Sequence, residues 1–372
     1  MKKILFFIPT LTGRGAEKVL VNLVNNIDKT KFDVTVMTLF NVGVNIKNLD
    51  ESIEYKYVFN KLFRGNKHLF KVFKPKQLFN FMIKDTYDVI ISYLEGPTTR
   101  IVSGCNNKNT KIVNWVHNEF HNTYRLKSSY RNEKEMKKCY EKYDSTIFVA
   151  ESAKKAFEKT MPSVMSNLKV LYNTVDTDLI KSKSLEKIND LSYEGDKINL
   201  ISVGKFTHQK GYERLLKVIS KLVNEDNMNI HLYLLGNGDQ ENKYKEIILE
   251  NNIKDNVTLL GFKSNPYKYV KNADLFVCSS YYEGYSTAVT ESIIVGTPVI
   301  TTLCSGMEEM LGRNGEYGMI VENSDIELYN GLKLLLNNPE LIHELKVKAD
   351  SRSEFFNMIN TVKSVEDFIE SL

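Results

Sequence analysis

Short β-rich runs alternate with amphipathic segments along almost the whole chain, and this alternation restricts the fold more than any other feature. "KILFFIP", "FDVTVMTLF", "YDVIISYL", "KIVNWVH" and "DSTIFVA" are apolar runs of strand length. Between the first two, "GAEKVLVNLVNNI" sets Ala16, Val19, Leu20, Leu23 and Ile27 at helical spacing. Apolar strands joined by helices describe a parallel sheet covered on both faces, the doubly wound α/β arrangement. The pattern pauses after "LYNTVDTDLI" at "KSKSLEKINDLSYEGDK", a polar stretch expected as a linker. It restarts with "INLISVG", "IHLYLLG", "VTLLG", "DLFVCSS" and "GTPVIT". Two Rossmann-like domains with a cleft between them are predicted, over residues 1–178 and 196–350. A C-terminal amphipathic helix in 351–372 is able to pack on either half, with packing back on the first domain expected.

The 372 residues suit two α/β domains, and 42% hydrophobic with 26% charged residues excludes a disordered chain. No apolar run reaches the ~18 residues of a membrane-spanning helix. The start, "MKKILFFIPTL", superficially resembles a signal peptide, but its apolar run is only about eight residues and meets "TGRGAEKVL"; it reads as a first strand. Cys105, Cys139, Cys278 and Cys304 have neither C-x-x-C nor zinc spacing and read as reduced thiols of a cytoplasmic protein. Charge is uneven: 29 basic against 18 acidic residues up to Asp178, then 21 against 28 in the remainder. Two domains with different partners are expected.

In open parallel sheets, ligands bind beyond the carboxyl ends of the strands, where helix N-termini offer N–H groups. Three such ends stand out in the second half. In "ISVGKFTHQKG", Lys205 and Lys210 precede a helix and would clamp a diphosphate, the alternative being two solvated lysines. In "LLGNGD", Gly236 and Gly238 allow close backbone approach, or are ordinary turn residues. In "SSYYEGYSTAVTESIIVGTPVI", a helix is expected to start near Ser286 or Thr287, with its first N–H groups facing a phosphate and Glu291 accepting from a pair of ribose hydroxyls. The alternative for Glu291 is a helix cap, but a capping box needs Glu three residues after the cap, where Val289 and Thr290 stand.

"VGKFTHQKG" followed by "SSYYEGYSTAVTESIIVGTPVI", with seven residues between Glu283 and Glu291, closely resembles the C-terminal domain of retaining glycosyltransferases of family 4, which have the GT-B fold. In the first half, "GRGAEKVLVNL" and "YNTVD" resemble the family's Gly-rich turn and hinge more loosely. The resemblance implies an α/β GT-B architecture, two Rossmann-like domains facing a central cleft. It implies that Lys205 and Lys210 meet the donor diphosphate, Glu291 the ribose and Glu283 the donor sugar. Gly284 and Tyr285 would supply N–H groups beside Glu283, with Ser286 and Thr287 at the helix start and Gly13 and Gly15 in the first turn. Three departures stand out: Lys205 where the family has Arg, Arg14 between the two glycines, and Asn173-Thr174 for Asn-Gly.

His117 ends "NWVH"; a lone histidine there is a hydrogen-bonded structural residue or, by the resemblance, a group positioning the transferred sugar. With Glu283 and Lys210 it completes the expected catalytic set. "DTD" at Asp176 to Asp178 invites a metal reading, but the resemblance implies a metal-independent enzyme without cofactor. Seven Lys and Arg from Lys56 to Lys76 interleave with Phe59, Phe63, Phe70 and Phe73, and "YRLKSSYRNEKEMKKCY" adds a second basic stretch. A basic–aromatic helix on an anionic membrane surface is expected, against a plain amphipathic surface helix; no nucleic-acid motif accompanies the charge. The expected activity is transfer of a sugar from a nucleotide diphosphate donor, UDP-linked, to an acceptor saccharide, free or lipid-linked as in bacterial cell-surface polysaccharide synthesis. The protein would be cytoplasmic and peripheral on the inner face of the plasma membrane. Two rivals remain: a retaining glycoside hydrolase using Glu283 and Glu291, and a non-catalytic partner subunit.

Overall fold

The computed structural model describes residues 1–13, 15–119, 127–164 and 167–372, with only the backbone at 67–69. Arg14, positions 124–126 of the second basic stretch and the side chain of Lys67 lie outside the described residues. The chain divides into two compact units, Met1–Val175 with Met358–Leu372, and Asp176–Asn357.

The first unit is built on a sheet of seven described strands: β1 (Lys2–Ile8), β2 (Phe32–Phe40), β3 (Glu54–Phe59), β4 (Val89–Tyr93), β5 (Lys111–Val116), β6 (Ser145–Phe148) and β7 (Asn167–Val170). Their order is β3-β2-β1-β4-β5-β6-β7, and every pairing is parallel. Burial explains why the central strands form. Ile4 to Ile8 and Val89 to Tyr93 are each buried without a break, as a strand covered on both faces must be. The helix Gly15–Asn26 closes the first crossover by burying Val19, Leu20, Leu23 and Val24. The last helix, Met358–Glu370, also belongs to this unit. Lys2 Nζ donates to the Ile369 carbonyl at 2.8 Å, and Glu366 accepts the Asp28 N–H at 2.6 Å.

The second unit repeats the plan with β8 (Ile198–Val203), β9 (Ile230–Leu235), β10 (Val257–Gly261), β11 (Leu275–Cys278), β12 (Val299–Thr302) and β13 (Met319–Val321), in the order β10-β9-β8-β11-β12-β13. The helix Tyr212–Asn224 lays Leu215, Leu216, Ile219 and Leu222 on this sheet at helical spacing.

Two expectations are corrected. The polar stretch 181–197 is not a free linker: it is bonded to the second unit, where Asp190 pairs with Lys263 at 2.6 Å and the Tyr193 hydroxyl donates to the Tyr269 carbonyl at 2.6 Å. The segment Lys56 to Lys76 is not one membrane-facing helix. It begins in β3, turns, forms the short helix Asn66–Val72 and enters the helix Pro75–Met82. Phe59, Phe63 and Phe70 turn inward onto Phe40, with ring centroids 5.8–6.4 Å from it. Four rings gain more by covering one another than by facing water. Phe73 stays exposed, with Leu62 and Val72. Lys56 is spent on Asp85 and Glu54, at 2.8 and 2.9 Å.

Candidate active site

In each sheet the strand order reverses at the first strand, between β1 and β4 and between β8 and β11. Open α/β sheets bind ligands beyond the C-terminal ends of the strands flanking this reversal. In the second unit these ends carry the loops 204–211 and 279–286, which are stitched together. Tyr281 donates its N–H to the Gln209 carbonyl at 2.9 Å, Gln209 Nε2 donates to the Tyr282 carbonyl at 3.0 Å, and Ser279 Oγ donates to the Lys210 carbonyl at 2.9 Å. Gly211 makes this possible. Its φ of 65° is left-handed, and a Cβ there would stand 2.0 Å from the Ser279 carbonyl oxygen.

Lys210 and Glu283 meet across the reversal. Lys210 Nζ lies 2.7 Å from Glu283 Oε1, which also accepts from Ser280 Oγ at 2.6 Å. Only 8% of the Glu283 side chain and 21% of the Lys210 side chain are exposed. Burial opposes the lysine charge, but the Glu283 carboxylate outweighs it and holds the ammonium above its ordinary range. Lys205 lies on the same loop but is exposed, with no ion-pair partner among the described residues. The two lysines are therefore unequal: one is desolvated and paired, the other stands in solvent.

The helix Thr287–Ile294 starts where the sequence predicts, with Ser286 as its N-cap. Ser286 gives no side-chain cap, so its hydroxyl leaves the first-turn N–H groups untouched. Its Oγ is buried and has no hydrogen-bond partner in the structure. Gly284 and Tyr285 are buried just before it. Glu291, one turn into the helix and half-buried, accepts from the Tyr267 hydroxyl at 3.4 Å. Gly236 and Gly238 serve the fold: a Cβ on either would run into the backbone of Gly204 or Phe206.

In the first unit, Gly13 and Gly15 flank the start of the first helix, beyond β1. Glu17 holds this turn, accepting from Thr10 Oγ1 at 2.7 Å and Thr12 Oγ1 at 2.5 Å. His117 directly follows β5 and is 7% exposed, its ring 4.7 Å from that of Tyr93. Burial pushes its imidazole down to about 3, so the ring is neutral across the physiological range. Nε2 is buried with no partner. Asp176 of "DTD" caps the helix Thr177–Ser184, accepting the Leu179 N–H at 2.9 Å.

Several groups here carry no motif. Arg214, 1% exposed, lays its guanidinium 3.7 Å from the Tyr281 ring, whose other neighbour is His208 in a stack at 4.8 Å. Arg214 also donates to Asn323 at 2.8 Å, and Asn323 donates to the Tyr281 carbonyl at 2.9 Å, which fixes the loop ahead of Glu283. Ser280 lies inside the quoted motif without its bond to Glu283 being readable from it, and Glu95 lies in no motif, because only the fold brings their partners to them. The sequence held little signal for Arg214, because Lys217 and Lys221 share its flank of the helix and make it look like another solvated base.

Residues 13–179 match the family model described as Glycosyltransferase Family 4, and residues 184–352 match Glycosyl transferases group 1. Over 384 aligned residues, covering 99% of this chain and all of the relative, the chain is 27% identical to a Campylobacter jejuni enzyme, N-acetylgalactosamine-N,N'-diacetylbacillosaminyl-diphospho-undecaprenol 4-alpha-N-acetylgalactosaminyltransferase. An uncharacterized glycosyltransferase of Methanocaldococcus jannaschii is 31% identical over 259 residues, 65% of this chain and 63% of that one. Among solved structures, Anabaena HepE in complex with UDP superimposes with a TM-score of 0.77 at 17% identity, covering 100% of both chains. WaaG, a glycosyltransferase involved in lipopolysaccharide biosynthesis, gives 0.75 at 16% identity, covering 98% of this chain and 99% of that one. The chain belongs to the GT-B glycosyltransferases, its first half a family 4 domain and its second a group 1 domain.

Proposed function

We propose that the protein is a retaining, metal-independent glycosyltransferase that moves a sugar from a UDP-linked donor to a saccharide on a lipid carrier, in bacterial surface polysaccharide assembly. The observation that carries the donor site is the Lys210–Glu283 pair across the β8/β11 reversal, beside the helix start at Thr287. A desolvated ammonium and a helix N-terminus take up the charge of a leaving diphosphate, the task a divalent ion performs elsewhere. Lys205 reaches the diphosphate from solvent, Glu291 accepts the ribose hydroxyls, and Glu283 faces the sugar. His117, neutral, offers a hydrogen bond to a sugar hydroxyl and is no base. The leaving phosphate oxygen takes the acceptor's proton, on the face from which the diphosphate departs.

UDP is favoured because HepE was solved with it, and a lipid-linked saccharide because the Campylobacter enzyme's name describes one. No helix among the described residues is long and apolar enough to cross a membrane. Contact with an anionic leaflet falls to exposed Lys61, Arg64, Lys74 and Lys76, with Leu62, Val72 and Phe73. The test is a panel of UDP-, GDP- and ADP-sugars with mass-spectrometric detection of transfer or slow donor hydrolysis, run with and without EDTA. Turnover of a UDP-sugar in chelator, with the anomeric configuration kept, is the expected result. Activity lost in EDTA and restored by Mn²⁺, or an inverted product, overturns the mechanism.

A further inference from the structure

The loop that follows β4 is built in a way the reaction described so far does not use. β4 ends at Tyr93, and the helix Pro97–Val102 begins four residues on. Within that turn Leu94 has φ 153° and Gly96 φ 125°. A leucine at such a φ is strained and persists only where its surroundings hold it. Here they do. The Leu94 carbonyl accepts from Thr98 Oγ1 at 3.1 Å, Thr99 Oγ1 at 3.3 Å and Ser92 Oγ at 3.4 Å, and Thr99 Oγ1 also donates to Asn114 Oδ1 on β5 at 3.0 Å. The effect is to throw Glu95 across to the next strand end. Its Oε2 accepts the backbone N–H of His117 at 3.0 Å, and its Oε1 accepts the side-chain amide of Asn118.

We propose that Glu95 is a positioning residue for sugar transfer: it clamps the turn after β5 and thereby fixes the ring of His117. The assignment rests on the reading of His117 as a group that meets the transferred sugar. His117 has its Nε2 buried and unpartnered, and its ring lies against Tyr93, the last residue of the strand from which the clamp extends. Among the described residues no hydrogen bond to the ring orients it. Its orientation is set by the backbone it sits on and the ring beside it, and Glu95 bonds that backbone directly. Glu95 is half-buried, and that burial raises its carboxyl above the ordinary range although both donors favour the charged form.

The test compares Glu95→Ala, Glu95→Gln, Asn118→Ala and His117→Ala with the double variant Glu95→Ala/His117→Ala. Glu95→Ala is expected to lower kcat about 100-fold, the cost of a reacting group displaced by roughly 1 Å, while the donor KM and UDP affinity stay near wild type. Glu95→Gln keeps an oxygen for the His117 N–H and loses less, and Asn118→Ala least. If Glu95 acts through His117, the double variant is no slower than His117→Ala alone. Hydrogen exchange of the peptide spanning β5 and His117 should quicken in Glu95→Ala but not in Asn118→Ala, whether or not the enzyme turns over. Unchanged exchange with unchanged kcat in Glu95→Ala overturns the proposal, as does a full additional loss in the double variant. A fully active His117→Ala removes the underlying role of His117 instead, and leaves the exchange result as a measure of the clamp alone. Should Glu95→Ala fail to fold, Glu95→Gln carries the same comparison.

Discussion

On the proposed reading, Lys210 serves two anions. In the free protein its ammonium sits 2.7 Å from Glu283, and a donor would bring a diphosphate to the same loop. Glu283→Gln therefore removes a competitor. UDP should bind at least as tightly as to wild type by calorimetry, while sugar transfer falls; a marked loss of UDP affinity would show that the pair does not compete. Lys210→Ala should weaken UDP by about 1–3 kcal/mol, the worth of charge-assisted hydrogen bonds. It also strands a carboxylate that is 92% shielded from water, so it should cost about 3 kcal/mol of stability. Lys210→Met/Glu283→Gln should recover most of that in thermal melts, and a double variant as unstable as the single one would contradict the pairing. His117 gives a pH signature. Its folded pKa of about 3 lies below the unfolded value, so acid protonates only the unfolded chain. Stability is thus fully present above pH ~6.5 and falls by about 1.4 kcal/mol per unit as pH drops toward 3. Urea midpoints should fall less steeply with acid in His117→Asn. At this scale the sequence showed which residues carry charge at the strand ends, since motif spacing is local. It hid the partners: nothing in "GKFTHQKG" says that Lys210 faces Glu283 while Lys205 faces water.

At the scale of elements, the strands with continuous apolar runs were legible and three edges were not. β3, β7 and β13 lie at the rims of their sheets and are half-exposed; β3 and β7 mix polar with apolar residues and β13 is only three residues long, so no long apolar run announces them. Missing β3 distorted the reading of its neighbourhood. Phe59, Phe63 and Phe70 follow one another at intervals of four and seven, which on a single helix makes a stripe facing outward. A strand, a turn and a short helix fold the same three rings onto Phe40. The two accounts separate experimentally. Phe70→Ala should cost about 3–5 kcal/mol as a core truncation, readable in denaturant unfolding. Replacing Lys61, Arg64, Lys74 and Lys76 with Gln should leave stability within about 0.5 kcal/mol, as exposed sites do. The same quadruple variant should release anionic liposomes at low salt. Phe70→Ala with wild-type stability would return the ring to the surface.

Over the whole molecule, two repeats of strand and helix were readable because each sheet is central, parallel and buried. The path of the chain between them was less so. The helix Met358–Glu370 has an apolar face that the sequence could assign to either unit; it belongs to the first, where Lys2 and Asp28 bond Ile369 and Glu366, and it buries Val362, Val365, Phe368 and Ile369. Truncation after Asn357 should uncover that surface and lower the melting temperature of the first unit, yet leave UDP binding by residues 176–357 in place. Loss of UDP binding with an unchanged first-unit melt would reverse the assignment. The same path has a consequence for how such enzymes diversify. Residues 176–357 leave the first unit and return to it as one uninterrupted piece, an insert with a single pair of junctions. If the donor is held there, donor choice is a cassette: two crossovers within the gene, near codons 176 and 357, exchange it whole. A lineage could then test new sugars without disturbing a strand of the other half.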